Sequence, residues 1–140
     1  MRSVSAQTAN WEFPGGISAA ELARHRTADA LMSWGFDQFR ADAILAVSEL
    51  VTNAILHGGS CLRLSLHCDG SRLWIGVGDG GDGVPAIREW NRDGTGGLGL
   101  RLIEAIAEQW YVEATDSGKT VWCALVSGSA DELSGHHLVA

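Results

Sequence analysis

The sequence has few of the features that would assign a chain to a membrane, secreted or nucleic-acid-binding class. Its 140 residues contain no apolar run near the roughly 20 residues that a membrane span needs, and no signal-peptide core follows the N-terminus. Only 10 Lys and Arg stand against 17 Asp and Glu, and the net charge of −7 argues against a clustered basic footprint for nucleic acid. We therefore expect a cytoplasmic protein that contacts neither membrane nor nucleic acid directly.

Cysteine is scarce, and the three that occur, Cys61, Cys68 and Cys123, form no C-x-x-C pair. An odd number of cysteines does not make a disulfide framework, and the spacing does not match a zinc site. We predict that all three act as small buried hydrophobes in a reducing compartment.

The length and the 46% hydrophobic content suffice for one domain with a substantial core. The first residues are small and polar, so residues 1–14 are predicted to be partly disordered, with residues 1–10 frayed. The folded domain is expected to span residues 15–127, and residues 128–140 to form a loose tail.

Helical periodicity marks the first half of the domain. The first helix is predicted over residues 19–33, with a capping box of Ser18 and Glu21 at its start and Gly35 at its end. A second helix follows at once, and a third, shorter one is predicted in "LGLRLIEAIAEQ".

Strand periodicity appears between these helices and after them. In "CLRLSLHC" the apolar residues alternate with polar ones, and a tight turn at Asp69-Gly70 leads into "RLWIGVG". A second hairpin is predicted from "WYVEAT", "DSGK" and "TVWCALV". Strands in hairpin order favour an α+β two-layer sandwich, with a mixed or antiparallel sheet and helices on one face.

The second helix carries two polar residues in an apolar context. It is predicted to begin at an N-cap, Asp37, and to end at Gly58-Gly59. Its core face is expected to comprise Ile44, Val47, Val51, Ala54 and Ile55. Glu49 and Asn53 lie opposite, one turn apart, beside Leu45, Ala46 and Leu56.

Two interpretations of this second helical face remain open. The pair is either an ordinary solvent-exposed pair or part of the wall of a pocket. In a pocket, Glu49 can deprotonate a hydroxyl, and the Asn53 oxygen suits Mg²⁺, which takes few protein ligands and keeps waters and phosphates.

Glycine clusters at 78–83, "GDGGDG", and 94–100, "GTGGLGL", allow a ligand to approach the backbone closely. A dinucleotide fingerprint matches at Gly94, Gly96 and Gly99, but no strand precedes it. "GKT" at 118–120 leads into a strand and lacks the first glycine of a P-loop. Both motif matches are weak.

Asp79 follows a predicted strand and stands next to glycines in "DGGDG". A carboxylate in such a place can accept a hydrogen bond from an exocyclic amine such as that of adenine. The alternative is an ordinary turn residue, as Asp favours turns for local reasons.

Four motifs in order resemble the GHKL ATPase superfamily. They are "ELVTNA" from Glu49 to Ala54, "DGGDG" from Asp79 to Gly83, "GGLGL" from Gly96 to Leu100, and "GKT" from Gly118 to Thr120. Within that superfamily the chain is most similar to the small single-domain anti-sigma factor serine kinases of the SpoIIAB/RsbW type. The resemblance implies a Bergerat-type ATP-binding fold.

The resemblance also implies cofactors, partners and residue roles. ATP and Mg²⁺ would be bound, a sigma factor sequestered and an anti-anti-sigma (STAS-type) protein phosphorylated, with a homodimer possible. Residues 84–96 would form a short lid. Glu49 would be the general base, Asn53 the Mg²⁺ ligand and Asp79 the adenine reader. The remaining site residues implied are Gly81, Gly83, Gly97, Leu98, Gly99 and Thr120.

Three functions stay open on the sequence. The first is this kinase, and the second is an ATP-regulated sequestering module with little phosphotransfer. The third is a dinucleotide-dependent oxidoreductase, which the misplaced fingerprint disfavours. His57, Arg88, Arg92 and Arg101 are candidates to assist phosphates, although each is expected to be an ordinary surface or packing residue.

Overall fold

A computed structural model describes residues 5–56, 61–79, 86–88, 100–115 and 118–127. The elements in chain order are β1 (Gln7–Pro14), α1 (Ala19–Trp34), a 3₁₀ turn (Asp37–Phe39), α2 (Arg40–Leu56), β2 (Cys61–Cys68), β3 (Arg72–Asp79), β4 (Ala86–Arg88), α3 (Arg101–Ile106), β5 (Gln109–Thr115) and β6 (Gly118–Val126). Among the described residues no helix is long and apolar enough to cross a membrane.

The strands form one sheet in the order β1-β2-β3-β6-β5-β4, and every neighbouring pair is antiparallel. The helices pack on one face, with α2 against β3 and β6 and α1 alongside α2. This is the predicted α+β two-layer sandwich, and the sheet is antiparallel among the described strands.

The core lies between the sheet and α2. Strand β2 contributes its alternate residues Leu62, Leu64, Leu66 and Cys68, all at most 1% exposed, as its period-two pattern predicts. The helices add Leu31, Val47, Leu50 and Val51 from the opposite side. Burial raises the pKa of the Cys123 thiol to about 12, so this cysteine is an inert core residue.

Local turn chemistry explains two of the chain reversals. Gly35 ends α1 in the left-handed conformation, with φ of 81°, where a Cβ would be strained. At Asp69-Gly70, Gly70 has φ of 94°, and the Asp69 carboxylate accepts hydrogen bonds from the backbone N–H groups of Ser71 and Arg72 at 2.9 and 3.0 Å. Both reversals agree with the sequence prediction.

The N-terminal segment corrects one expectation. Residues 7–10, predicted to be frayed, belong to β1, which pairs with β2 from Gln7↔Cys68 to Pro14↔Cys61. Polar cross-strand pairs support the register, since Ser65 donates to Asn10 at 2.6 Å. The strand escaped prediction because its open face is polar and its single fully buried side chain is Phe13.

Three further sequence predictions were wrong in detail. Ser18 makes no side-chain capping bond, so the capping box with Glu21 does not form. Asp37 begins a 3₁₀ turn and does not cap α2, which starts at Arg40. Cys61 is exposed at the start of β2, unlike the buried Cys68 and Cys123.

The sheet face away from the helices carries an aromatic cluster. Trp74 and Tyr111 contact edge to face, with ring centroids 6.0 Å apart. The ring of Trp122 covers Gly76, and its Nε1 donates to the Glu113 carboxylate at 3.4 Å. Trp122 therefore fills the space that a side chain at Gly76 would need.

Substituting Gly76→Ala should destabilise the fold, because the new Cβ would lie 2.5 to 2.7 Å from Trp122 ring atoms. Overpacking of this kind typically costs about 1–3 kcal/mol. Urea unfolding of the two proteins measures the difference. Gly16→Ala is the matched control, since nothing lies within 4 Å of a Cβ there. Equal stability of Gly76→Ala and wild type would show that the Trp122 ring moves aside freely.

Candidate functional site

The two polar residues singled out on α2 differ in burial. Asn53 is only 7% exposed, whereas Glu49, one turn earlier, is half-buried. Their helical neighbour Ala46, expected beside them on a pocket-lining face, is fully buried in the core. Leu45 and Leu56, also expected there, are exposed at 43% and 77%. The polar pair therefore lies at the border between the core and the surface of α2.

Neither polar side chain is used to hold the fold together. Within the described ranges, Glu49 and Asn53 make no hydrogen bond or ion pair. Other polar groups of the helical layer do, since Arg24 donates to Ser48 at 3.2 Å and Thr27 to the Ala23 carbonyl at 2.8 Å. Asn53 is buried as a residue, but its carboxamide atoms are not among the fully buried, unpartnered polar atoms of the described residues, so solvent or a ligand can reach them. Asn53 is therefore suited to bind a ligand.

Strand β2 connects the end of α2 to the strand that carries Asp79. The connection from Leu56 to Cys61 spans five residue steps, which limits their separation to about 18 Å. Leu62, next in β2, is the Cα partner of Asp79 and is fully buried beneath the helices. Asp79 is thus the last residue of β3, and its backbone lies opposite Leu62 near the start of β2.

Thr120 does not lie on the helix-covered face of the sheet. Its Cα partner is Gly78, and a Cβ at Gly78 would meet the Thr120 hydroxyl oxygen. Both residues therefore belong to the open face, together with Trp122 two residues on. The Thr120 hydroxyl therefore lies on the sheet face away from the helices.

The residue of this motif on the helix-covered face is Lys119. Alternate residues of a strand share a face, and Lys119 stands two and four residues before Val121 and Cys123. Both of these residues are buried beneath the helices. The sequence analysis assigned no role to Lys119, because it treated "GKT" as one motif. The available signal was this strand parity, which the sequence alone provides.

The remaining predictions have varied outcomes. The site residues Gly81, Gly83, Gly97, Leu98 and Gly99, as well as His57 and Arg92, lie outside the described residues. Of the span 84–96, expected to be a lid, residues 86–88 are described and form β4, which pairs with β5. Arg88 is the last residue of β4, and Arg101 is exposed at the start of α3.

The Asn53 side chain carries an oxygen of the kind that magnesium binds. Within the described residues, no group of three His, Cys, Asp or Glu side chains is placed to hold a metal ion. Magnesium keeps several waters and is commonly bound through one or two protein oxygens together with phosphates. The partnerless Asn53 carboxamide fits the role of one such oxygen ligand.

Comparison with solved structures identifies a protein of similar fold. In fold the chain is similar to the crystal structure of the RsbU and RsbW domains of Rv1364c from Mycobacterium tuberculosis, with a TM-score of 0.60 and 23% identity. That match covers 86% of this chain and 32% of the other, so the chain spans about a third of that solved structure's length. No curated protein matches the chain.

The family comparison covers most of the chain. Residues 13–125 match the histidine kinase-like ATPase domain. This span contains α2 with Glu49 and Asn53, the end of β3 and all of the glycine clusters, and it includes most of β6. The chain therefore belongs to the histidine kinase-like ATPase domain family.

Proposed function

We propose that this chain is an ATP-dependent protein serine/threonine kinase that acts as an anti-sigma factor. The observation that carries the proposal is a pair of polar residues one turn apart on α2, the buried Asn53 and the half-buried Glu49. Neither side chain makes a hydrogen bond or an ion pair with the described residues. Membership of an ATPase domain family supports ATP as the ligand. A base and a metal ligand on one rigid helical turn are what phosphoryl transfer requires.

Glu49 is proposed as the general base. It takes the proton of the substrate hydroxyl as that oxygen bonds to the γ-phosphorus, while the bond to the β–γ bridging oxygen breaks and ADP is the leaving group. Its half-buried position suits the task, because the carboxylate can reach a hydroxyl from outside and no internal ion pair neutralises it in the described structure.

Asn53 is proposed to hold Mg²⁺ through its side-chain oxygen. Bound magnesium would neutralise phosphate charge and fix the phosphate geometry. The protein's own contribution is a carboxamide held by a helix that Val47, Leu50 and Val51 anchor in the core. Such an oxygen is preorganised and needs no ordering when the ligand arrives.

Asp79 is proposed to accept the hydrogen bond of the adenine amine. Asp79 is the last residue of β3, and its Cα partner is the buried Leu62 of β2, which supports this proposal. Gly81 and Gly83 would let the base approach the backbone, and Gly97, Leu98 and Gly99 would offer N–H groups to the phosphates. Thr120, on the open face, would act only indirectly, through the backbone or through water.

The partner proteins are proposed from the resemblance together with the fold comparison. A sigma factor would be sequestered, and an anti-anti-sigma protein of the STAS type would be the phosphoacceptor. The similar solved structure is described by its RsbU and RsbW domains, which supports a regulatory setting of this kind. Action in the cytoplasm, and as a homodimer, is part of the same proposal.

A sequestering module without significant phosphotransfer is the second candidate. Such a protein needs the nucleotide site but has no use for a base at position 49. Incubation with γ-labelled ATP, Mg²⁺ and a candidate STAS-type protein separates the two functions. Label on a serine or threonine of the partner supports the kinase, and nucleotide binding without any label supports the module.

Nucleotide binding itself is testable by thermal unfolding. Millimolar ATP with Mg²⁺ should raise the melting temperature, because a ligand at 100 times its Kd stabilises the native state by about 2.7 kcal/mol. NAD at the same concentration should give no shift. Absence of any shift with ATP and ADP would contradict the proposed function as a whole.

Asp79→Asn should weaken ADP binding by roughly 10- to 100-fold, since hydrogen bonds to charged groups contribute about 1.5–3 kcal/mol. The amide can turn its NH₂ towards the adenine amine and lose the acceptor. Calorimetric titration measures the change, and Asp69→Asn, in the exposed turn between β2 and β3, is the matched control. Wild-type affinity in Asp79→Asn would make Asp79 a turn residue only.

A further inference from the structure

The solvent-facing side of α1 is charged. Four of the six exposed residues of this helix are ionisable. The six are Glu21, His25, Arg26, Asp29, Met32 and Ser33. Charged and polar residues opposite the apolar face are the usual pattern for a helix on the surface of a domain. Helix α1 therefore has the ordinary surface of a helix that faces water.

The solvent-facing side of α2 is uncharged after its first residue, Arg40. The exposed residues that follow are Ala41, Leu45, Thr52 and Leu56, and none of them is ionisable. Leu45 and Leu56 are exposed at 43% and 77%. The four positions are four, seven and four residues apart, so they form one stripe along the helix. This set of four residues is called the α2 stripe below.

The α2 stripe passes beside Glu49. Glu49 follows Leu45 by four residues and precedes Thr52 by three, and residues with these spacings are neighbours on a helix surface. At about 1.5 Å per residue, Leu45 lies roughly 6 Å and Leu56 roughly 10 Å from Glu49 along the helix axis. The proposed base therefore lies between the two exposed leucines.

Glu49 has different surroundings on its two sides. Asn53, on the side away from the α2 stripe, is buried, and it is the proposed ligand of the magnesium that accompanies the nucleotide. On the other side the stripe is open to solvent. In phosphoryl transfer the attacking and leaving oxygens lie roughly in line on opposite sides of the phosphorus. The acceptor hydroxyl should therefore approach Glu49 from the side of the stripe.

We propose that the α2 stripe is the docking surface for the protein that carries the acceptor hydroxyl. This inference rests on the proposed function. Leu45 and Leu56 are the two apolar anchors, and the partner's serine or threonine reaches Glu49 between them. The cores of protein interfaces are depleted of charged residues, as the stripe is. The matching surface of the partner is accordingly apolar and uncharged around its phosphorylated residue.

The test removes the two anchors separately and together. The substrate is the STAS-type protein that accepts label in the phosphotransfer experiment. Leu45→Ser and Leu56→Ser should each lower kcat/KM for that protein by roughly 10-fold, and the double variant by roughly 100-fold, on the scale of withdrawing a leucine from an interface. The conservative variant Leu45→Met should retain the wild-type value, because it keeps an apolar side chain of similar size.

Two further quantities separate docking from catalysis. Turnover at saturating partner should stay within about twofold of wild type, because contacts made equally in the ground state and the transition state change KM and not kcat. ADP affinity should also be unchanged. Exposed positions tolerate substitution, so the serine variants should fold, and melting temperatures check this.

Met32→Ser is the matched control. Met32 is 59% exposed, but it lies on α1, where most of the exposed residues are ionisable. Its substitution removes an exposed apolar side chain outside the α2 stripe. This variant should keep the wild-type kcat/KM for the partner, and an equal loss in Met32→Ser would overturn the assignment of docking to the stripe.

The outcomes distinguish this inference from the function on which it rests. Wild type that binds ADP but labels no protein overturns the kinase function and the docking surface together. Wild type that labels its partner, with a double variant of unchanged kcat/KM, overturns only the docking surface. A double variant that is monomeric where wild type sediments as a dimer would assign the stripe to a second copy of this chain. One that loses ADP affinity would assign it to the nucleotide, and either result also overturns the inference.

Discussion

Glu49→Gln is expected to lower phosphotransfer by about 10²–10⁴-fold, the usual contribution of a positioned general base. Glutamine keeps the size and the helix propensity of glutamate but cannot accept the proton of a substrate hydroxyl. Nucleotide affinity should stay within a few-fold, because the proposed contacts with ADP come from Asp79 and backbone groups. Stability should change little as well, since Glu49 makes no ion pair or hydrogen bond within the described structure.

The measurement is a single-turnover transfer of labelled phosphate, with ADP affinity determined in parallel. Glu21→Gln is the matched control, because it changes an exposed glutamate of α1 with the His25 imidazole 3.8 Å away. An unchanged transfer rate in Glu49→Gln would remove the general base. The sequestering module would then be the better description of the protein.

Asn53→Ala should act on ground-state binding as well as on transfer. Removing the proposed oxygen ligand should weaken Mg²⁺-dependent ATP binding by roughly 10- to 100-fold, on the scale of a lost contact with a charged group. Phosphotransfer should fall together with it. ADP binding without metal should change less, because it depends on Asp79 and the glycines.

The same substitution has a distinct effect on the protein without ligand. Asn53 makes no hydrogen bond with the described residues, and its carboxamide atoms are not among their fully buried, unpartnered polar atoms. The stability of the protein without ligand should therefore change little in Asn53→Ala, while the stabilisation by ATP–Mg²⁺ should fall. Thermal unfolding with and without ATP–Mg²⁺ measures both quantities.

Thr52→Ala provides the control on the same turn of α2, where Thr52 is exposed. It should leave both the apo melting temperature and the ATP–Mg²⁺ shift near wild type, as surface substitutions usually do. A large loss of apo stability in Asn53→Ala, with ATP affinity preserved, would make Asn53 a structural residue and contradict its role as a ligand.

Much of the fold could be predicted from residues that are close together in the sequence. The strict alternation in β2 predicts its buried face, and Gly35 and Asp69-Gly70 predict reversals that the structure has. The four-residue spacing of Glu49 and Asn53 likewise predicts that they share a turn of α2. Such features depend on the chain within a few residues, where backbone geometry and side-chain period are decisive.

The failures concern residues whose environment is set from a distance. Strand β1 is polar on its open face, and its pairing with β2 lies more than 45 residues along the chain. The helical wheel of α2 placed Ala46 beside Glu49 and Asn53, away from the predicted core face. In the structure Ala46 is fully buried, so the side of α2 that packs on the sheet is not the same as the most apolar side. Where a helix contacts its sheet is decided by shape and packing as well as by hydrophobicity.

The sequence by itself determined the family of this protein, its three helices, four of its six described strands, and the pair of polar residues on α2. Only the tertiary structure decided that β1 and β4 join the sheet and which residue of "GKT" lies on the helix-covered face. A shift of one residue in strand pairing exchanges the two faces of a strand, and that register is fixed by contacts between β3 and β6, some 40 residues apart. For that reason Thr120 lies on the open face and Lys119 on the face beneath the helices.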